Sequence, residues 1–134
     1  MSADRGYRVL IVDDEAAVRQ FVDRVLRDGG YETVLAGDGR AALDLSASSQ
    51  PFHLLIADLR MPGMRGDEVA RRLRIRDPDL KVLYFTGFAD RLFAERAVLS
   101  ANEAFLDKPV SATGLLEAVS LCLFGHTRGM AKPS

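Results

Sequence analysis

Short apolar runs alternate with longer stretches of helical periodicity along the chain. The apolar runs are rich in Val, Leu and Ile and are bounded by turn residues, which is typical of strands buried on both faces of a parallel sheet. They predict strands at 7–12, 31–36, 53–58, 81–85 and 104–106. Because strand and helix alternate five times, we expect an α/β domain, (βα)5, with a doubly wound, five-stranded parallel sheet and right-handed crossovers.

The stretches between the apolar runs predict amphipathic helices. The first helix has an apolar face made of Val18, Phe21, Val22, Val25 and Leu26. In the third helix, Val69 and Leu73 face inward, and the intervening arginines are predicted to face water. These arginines are Arg71, Arg72, Arg74 and Arg76. A weaker helix is predicted at 90–99, so helices cover both faces of the sheet.

The last predicted helix ends close to the end of the sequence. Ser111 is expected to cap its N-terminus, and the helix runs to about Phe124. Leu121 and Phe124 fall off its inward face. They predict either an exposed apolar patch for a partner or a homodimer, or ordinary fraying at the end of a helix.

Polar side chains follow the predicted strands at the point where each strand ends. The central apolar run stops at Asp58, and Pro62 and Gly63 then turn the chain. Because parallel strands present their carboxyl ends at one edge of a sheet, that edge collects the residues after each strand, and open α/β sheets bind ligands there. The residues at this edge are Asp13, Asp14, Asp58, Thr86 and Lys108.

Three carboxylates in one place repel one another unless a cation offsets their charge. A hard divalent cation with oxygen ligands is the natural partner, and Mg²⁺ needs only one or two carboxylates plus waters. Three aspartates, one divalent ion and one lysine are together neutral, so an incoming phosphoryl group would find the negative charge already offset. A carboxylate can act as a nucleophile toward phosphorus, and the metal and a lysine can stabilise the transferred oxygens.

Composition narrows the class of protein. The chain has 134 residues, 48% of them hydrophobic, which suits a single globular domain. A net charge of −1 provides no overall field for nucleic acid or anionic lipid, and acidic residues flank the arginines of the third helix. The only cysteine, Cys122, excludes an intrachain disulfide. With no apolar run of signal or membrane-spanning length, we expect a cytoplasmic protein without nucleic-acid or membrane partners.

Taken together, these motifs resemble those of a response-regulator receiver domain, the module of two-component signalling. The matching segments are Val12-Asp13-Asp14-Glu15, 58–66, Thr86-Gly87 and Lys108-Pro109. The resemblance covers 7–124 and implies a flavodoxin-like, CheY-like fold with strand order 2-1-3-4-5. The expected boundaries are a disordered N-terminus at 1–6, the receiver domain at 7–124 and a flexible tail at 125–134, without an output domain.

The resemblance also implies roles for the residues at the sheet edge. Asp58 would be the phosphoacceptor, and Mg²⁺ would be held by Asp13, Asp14, Asp58 and the backbone carbonyl of Arg60. Lys108 would pair with a phosphoryl oxygen, or with Asp58 beforehand.

Further roles concern switching and the lifetime of the phosphoryl group. Thr86 would hydrogen-bond the phosphoryl group, and the bond before Pro109 is expected to be cis. Phe105 matches the rotating aromatic residue of the family, although an ordinary buried strand residue is the alternative interpretation. Arg60 and Phe88 occupy positions that border the route of the attacking water, and we hypothesise that bulky Phe88 lengthens the lifetime of the aspartyl phosphate.

The implied function is a phosphorylation-dependent switch in a phosphorelay. A sensor histidine kinase or a histidine phosphotransfer protein would donate to Asp58 with Mg²⁺ present. The surface of the predicted fourth helix, fifth strand and fifth helix would then change for an unknown downstream protein. The chain would not be an enzyme beyond its own phosphoryl transfer and slow autodephosphorylation. It could be a stand-alone regulator or derive from a hybrid histidine kinase.

Two alternatives come from other classes of protein. The first is a vestigial receiver that acts as a constitutive protein-binding module, which the intact set of site residues disfavours. The second is a phosphatase with an aspartyl nucleophile. Phosphatases of the haloacid-dehalogenase type have a D-x-D pair after the first strand, whereas this chain has Asp13-Asp14-Glu15 there and its isolated aspartate after the third strand.

Overall fold

A five-stranded parallel sheet forms the centre of the computed structural model, which describes residues 6–48, 50–87, 103–108 and 110–125. The strands are β1 (Arg8–Val12), β2 (Glu32–Ala36), β3 (Leu54–Asp58), β4 (Lys81–Thr86) and β5 (Glu103–Asp107). The described helices are α1 (Ala16–Asp28), α2 (Gly39–Ala47), α3 (Gly66–Arg76) and α4 (Ala112–Phe124). The helix predicted at 90–99 lies outside the described residues.

The strand order is β2-β1-β3-β4-β5, and all four pairings are parallel. The predicted fold class and strand order are therefore confirmed. All five residues of β3 are buried, as expected for the central strand of a sheet covered on both sides. The register aligns Val12 with Ala57 and Asp58 with Phe85, so β1 and β3 end side by side at one edge.

Successive strand residues pack into two separate cores. On one face, Leu10 and Leu55 pack with α2 and α3. On the other face, Ile11 and Ile56 pack with α1 and α4. This alternation follows from the two-residue period of a strand, and it explains why the strands are apolar at nearly every position rather than at every second one.

Helix ends follow the local sequence. The Ser111 hydroxyl accepts a hydrogen bond from the Gly114 N–H at 3.0 Å, so the predicted N-cap of α4 is confirmed. Gly125 adopts a left-handed conformation, with φ of 78°, and ends the same helix. Asp38 caps α2 by accepting from the Ala41 N–H at 2.8 Å.

Two aromatic positions differ from the prediction. Phe21 was expected on the inward face of α1 but is 40% exposed, because Phe21 and Val22 are a full 100° apart on a helix and the buried Val22 occupies the centre of the face. Phe124 belonged to the exposed patch that was one of two alternatives for the end of this helix; it instead packs edge-on against Tyr7, with ring centroids 5.1 Å apart. Leu121 is 53% exposed, so the predicted patch is reduced to this side chain.

The prediction that Arg74 faces water is wrong. Its guanidinium donates to the Leu80 carbonyl from Nε and Nη2, and Nη1 lies 2.8 Å from Oε2 of Glu103. The same carboxylate oxygen accepts from the Tyr84 hydroxyl at 3.2 Å. The long arginine side chain thus folds back over the end of α3 and ties the helix to β4 and β5 through a largely buried ion pair.

Among the helices that the structure describes, none has both the length and the apolar character needed to cross a bilayer.

Arg74→Gln should destabilise the domain by about 1.5–3 kcal/mol, the usual range for hydrogen bonds to charged groups, because Glu103 loses its ion-pair partner. Arg72→Gln is the matched control on the same helix, since its pair with Glu68 is exposed and should contribute little to stability. Urea unfolding of both variants measures the difference. Equal losses for the two variants would show that the Arg74 network contributes no special stability.

Candidate functional site

Three aspartates meet at the carboxyl edge of the sheet, after β1 and β3. Asp13 and Asp58 are buried, with 1% and 6% of their surface exposed, whereas Asp14 is exposed. One carboxylate oxygen from each of the three lies within 4.8 Å of the others. The structure therefore brings together the three carboxylates that the sequence placed at this edge.

Asp13 is held by contacts from three directions. Its N–H donates to the Ala36 carbonyl at 3.2 Å, and its Oδ1 accepts from the Glu15 N–H at 2.9 Å. Its carbonyl accepts from Nη1 of Arg19 at 2.6 Å. The other carboxylate oxygen, Oδ2, is the one buried side-chain nitrogen or oxygen without a hydrogen-bond partner in the part of the chain that the structure describes. A buried oxygen left in this way costs free energy, and a bound cation would offset that cost.

Asp58 is fixed by the loop that follows β3. Its Oδ1 accepts from the Arg60 N–H at 3.1 Å, and its backbone lies against Gly66 at the start of α3. A Cβ atom at Gly66 would stand 2.4 Å from the Asp58 carbonyl oxygen, so only glycine fits this approach. The Gly66 N–H also donates to the Leu59 carbonyl at 3.0 Å and closes the loop.

Lys108 brings a positive charge into the cluster from the end of β5. Its Nζ lies 3.0 Å from Oδ2 of Asp58, 3.5 Å from Oδ2 of Asp13 and 3.7 Å from Oε1 of Glu15. Only the contact with Asp58 is a hydrogen bond among these three. One ammonium thus stands between two buried carboxylates and a more exposed one, and it offsets only part of their charge.

Burial and the neighbouring charges together shift the pKa values of Asp13 and Lys108. Burial raises the pKa of the Asp13 carboxyl; the Glu15 N–H and the Lys108 charge oppose this effect, and the charges of Asp58 and Asp14 add to it. Burial lowers the pKa of Lys108, but the hydrogen bond to Asp58 and the charges of Asp13, Asp58 and Glu15 outweigh it and leave that pKa raised. The lysine therefore stays protonated while the buried aspartate resists ionisation.

The remaining predicted residues stand around this cluster. Thr86 is the last residue of β4, and its side chain lies outside the described part of the structure. Arg60 is exposed and follows Asp58 by two positions. Phe105 is half-buried, with its ring centroid 5.4 Å from that of Tyr84, a position that suits both interpretations of this residue. Phe88 and Pro109 lie outside the described residues, so their predicted roles stay predictions.

Two residues near the site were not singled out from the sequence. Glu15 was quoted only as part of a motif, yet its backbone binds Asp13 and its carboxylate faces Lys108. Arg19 lies between the apolar positions of α1 and was assigned no role, yet its Nη1 donates to the Asp13 carbonyl. Its position six residues after Asp13 places it within one and a half turns of the loop, which is a usable signal for such a contact.

The site combines a buried carboxylate for attack, a lysine beside it and an oxygen-rich cluster suited to a hard divalent cation. These are the parts that phosphoryl transfer to a carboxylate requires.

Comparison with known proteins agrees with this geometry. The model of the response regulator receiver domain family matches residues 9–120. The response regulator receiver protein CpdR of Brucella abortus is 32% identical over 116 residues, which cover 87% of this chain and 96% of that protein. The response regulator MprA of Mycolicibacterium vanbaalenii is 42% identical over 110 residues, or 81% of this chain and 47% of the relative, so the chain spans about half the length of that protein.

A solved structure shows the same fold. The chemotaxis protein CheY4 of Vibrio cholerae superposes with a TM-score of 0.74 at 30% identity, over 87% of this chain and 98% of that chain. The match of the family model over most of the sequence, together with the strand order and the relatives, shows that this chain belongs to the response regulator receiver domain family and supports a role as a switch in two-component signalling.

Proposed function

We propose that Asp58 is the phosphoacceptor of this receiver and takes a phosphoryl group from the phosphohistidine of a sensor histidine kinase or a histidine phosphotransfer protein. The observation that carries the proposal is the contact between Oδ2 of Asp58 and Nζ of Lys108, inside a cluster of carboxylates at the sheet edge. Among the described residues, aspartates on exposed helix surfaces, such as Asp44, belong to no such carboxylate cluster.

The donor set fits Mg²⁺. Asp13, Asp14 and Asp58 offer carboxylate oxygens within 4.8 Å of one another, and Oδ2 of Asp13 is buried without a hydrogen bond. These residues and the backbone carbonyl of Arg60 would hold the ion, with waters as its further ligands. When bound, Mg²⁺ supplies positive charge that offsets the phosphoryl oxygens.

In the proposed transfer, a carboxylate oxygen of Asp58 forms a bond to phosphorus while the P–N bond of the donor breaks. The electron pair leaves on the imidazole nitrogen, which takes up a proton from solvent. The Lys108 ammonium moves its hydrogen bond from Asp58 to a phosphoryl oxygen, so the charge that now stabilises the carboxylate then stabilises the product. Later attack by water returns Asp58 and inorganic phosphate, and this slow hydrolysis is the only other reaction we assign to the chain.

Phosphorylation would act on β5 and α4, together with the helix predicted from the sequence at 90–99. Thr86 would bond the phosphoryl group, and Phe105 would turn in its packing against Tyr84. A differential stabilisation of a few kcal/mol is enough to shift such an equilibrium. The changed face would be recognised by a downstream protein in the cytoplasm, and a homodimer through α4 would use exposed Leu121.

Incubation with Mg²⁺ and acetyl phosphate should add the mass of one phosphoryl group to the wild-type chain, measured as intact mass. Asp58→Asn should show no gain, because the amide is not a nucleophile at this position. Asp44→Asn is the matched control, since that aspartate is exposed on α2, and it should react like the wild type.

The same experiment separates the alternatives. A vestigial binding module predicts no gain in mass under any condition. An aspartyl phosphatase predicts repeated turnover of phosphate esters rather than one stable modification. Either result would contradict the proposed switch.

Asp13→Asn should raise the melting temperature at pH 7 without Mg²⁺. Burial raises the pKa of Asp13 in the folded state, so ionised Asp13 destabilises the fold at pH values above that raised pKa. The destabilisation disappears as the pH falls below the pKa of the unfolded aspartate, so the gain of the variant should shrink on acidification. Mg²⁺ should stabilise the wild type and leave the variant nearly unchanged. A lower melting temperature for the variant at pH 7 would contradict this electrostatic account.

Phe88→Ala should shorten the lifetime of the aspartyl phosphate by several-fold, because the Phe88 side chain is expected to shield the phosphoryl group from the attacking water. The decay of the phosphorylated mass after removal of acetyl phosphate measures this lifetime. Unchanged decay would show that Phe88 does not screen the site.

A further inference from the structure

Arg19 binds the backbone of a predicted metal ligand rather than a carboxylate. Its Nη1 donates to the Asp13 carbonyl at 2.6 Å, and the arginine is only partly exposed in the first half of α1. The bond is short and charge-assisted, which places it among the stronger hydrogen bonds in proteins.

The guanidinium spans two loops at the carboxyl edge of the sheet. A Cβ atom at Gly37 would stand 3.4 Å from Nη1 and 3.8 Å from Cζ of Arg19, so the planar group lies over the bare backbone of Gly37. The neighbouring Ala36 carbonyl accepts the Asp13 N–H at 3.2 Å. The Asp13 peptide is thus held through its N–H by the end of β2 and through its carbonyl by Arg19.

We propose that Arg19 is a positioning residue that sets the Mg²⁺ affinity of the site by fixing the Asp13 backbone. With the N–H, the carbonyl and Oδ1 of Asp13 all engaged, the side chain is left with Oδ2 as its one oxygen without a hydrogen bond. Among the described residues, Arg19 makes no ion pair with a carboxylate of the cluster, so it acts only through the Asp13 backbone. The inference rests on the proposed function, because it takes Asp13 as a ligand of Mg²⁺.

The charge of Arg19 and its contact with Asp13 would have opposite effects on Mg²⁺ affinity. If Arg19 acted only as a nearby positive charge, its removal would make the cluster more negative and Mg²⁺ would bind more tightly. If Arg19 holds Asp13 in place, its removal lets the ligand move and Mg²⁺ binds more weakly. Loss of a hydrogen bond that orients a metal ligand typically weakens metal binding by about 10- to 100-fold. The sign of the change therefore identifies the role.

The test compares Mg²⁺ affinity by calorimetric titration of the full chain at pH 7 for wild type, Arg19→Lys and Arg19→Gln. We expect about tenfold weaker binding for Arg19→Gln. Arg19→Lys keeps the charge and one donor but lacks the planar group over Gly37, so its affinity should fall between the other two. Arg24→Gln, the loss of an exposed arginine on the same helix, is the matched control and should bind like the wild type.

A kinetic measurement separates positioning from catalysis. With acetyl phosphate, the Mg²⁺ concentration that gives half the maximal rate should rise for Arg19→Gln by the same factor as the dissociation constant. The rate at saturating Mg²⁺ should stay within about twofold of the wild type, because Asp58 and Lys108 are intact. Melting temperatures in the presence of a chelator report any purely structural effect.

Several outcomes would overturn the inference. One is that Arg19→Gln binds Mg²⁺ as tightly as the wild type or more tightly. Another is that the variant melts at a lower temperature but keeps its Mg²⁺ affinity, which would show that Arg19 has only a structural role. If Arg19→Gln does not fold, wild-type affinity in Arg19→Lys overturns it. Failure of the proposed function is distinguishable, because the wild type itself would then bind no Mg²⁺ and gain no phosphoryl group.

Discussion

The contact between Lys108 and the carboxylates of Asp58 and Asp13 is the interaction on which the account of this site depends. One ammonium lies 3.0 Å from one buried carboxylate and 3.5 Å from the other, with Asp14 and Glu15 close by. A single positive charge does not offset this many negative ones. Burial raises the pKa of Asp13, and the charges of Asp58 and Asp14 add to this effect. The fold holds these charges together because the strand ends that carry them cannot separate without breaking the sheet.

The sheet fixes the site through backbone contacts rather than through the carboxylates themselves. β1 and β3 are neighbours, so Asp13 and Asp58 leave the sheet side by side. The Glu15 N–H donates to Oδ1 of Asp13, and the Arg60 N–H donates to Oδ1 of Asp58. Gly66 lets α3 begin against the Asp58 carbonyl. These contacts leave one oxygen of each buried aspartate directed to Lys108 or a cation, which is the preorganisation that charge stabilisation requires.

The apolar pattern predicted the five strands and the edge where the acidic residues meet, and the family resemblance implied the strand order. The strand prediction succeeded because a strand that is buried on both faces needs apolar residues at nearly every position, which makes it easy to recognise in a sequence. The pattern failed for Arg74, which forms an ion pair with a residue 29 positions away. It also left the surroundings of Phe124 open, and this ring packs on Tyr7 near the other end of the chain. Helical periodicity predicts the face of the helix on which a residue lies. It does not predict where the end of a long side chain reaches or which distant element packs against it. The same limit hid the contact between Arg19 and Asp13.

The most direct test of the central claim is a crystal structure of the protein with Mg²⁺ and beryllium trifluoride, a tetrahedral mimic of a phosphoryl group. The account predicts the mimic on a carboxylate oxygen of Asp58, Lys108 bonded to one of its fluorines, and the cation among Asp13, Asp14, Asp58 and the Arg60 carbonyl. A mimic bound at another residue, or a cation outside the carboxylate cluster, would contradict it.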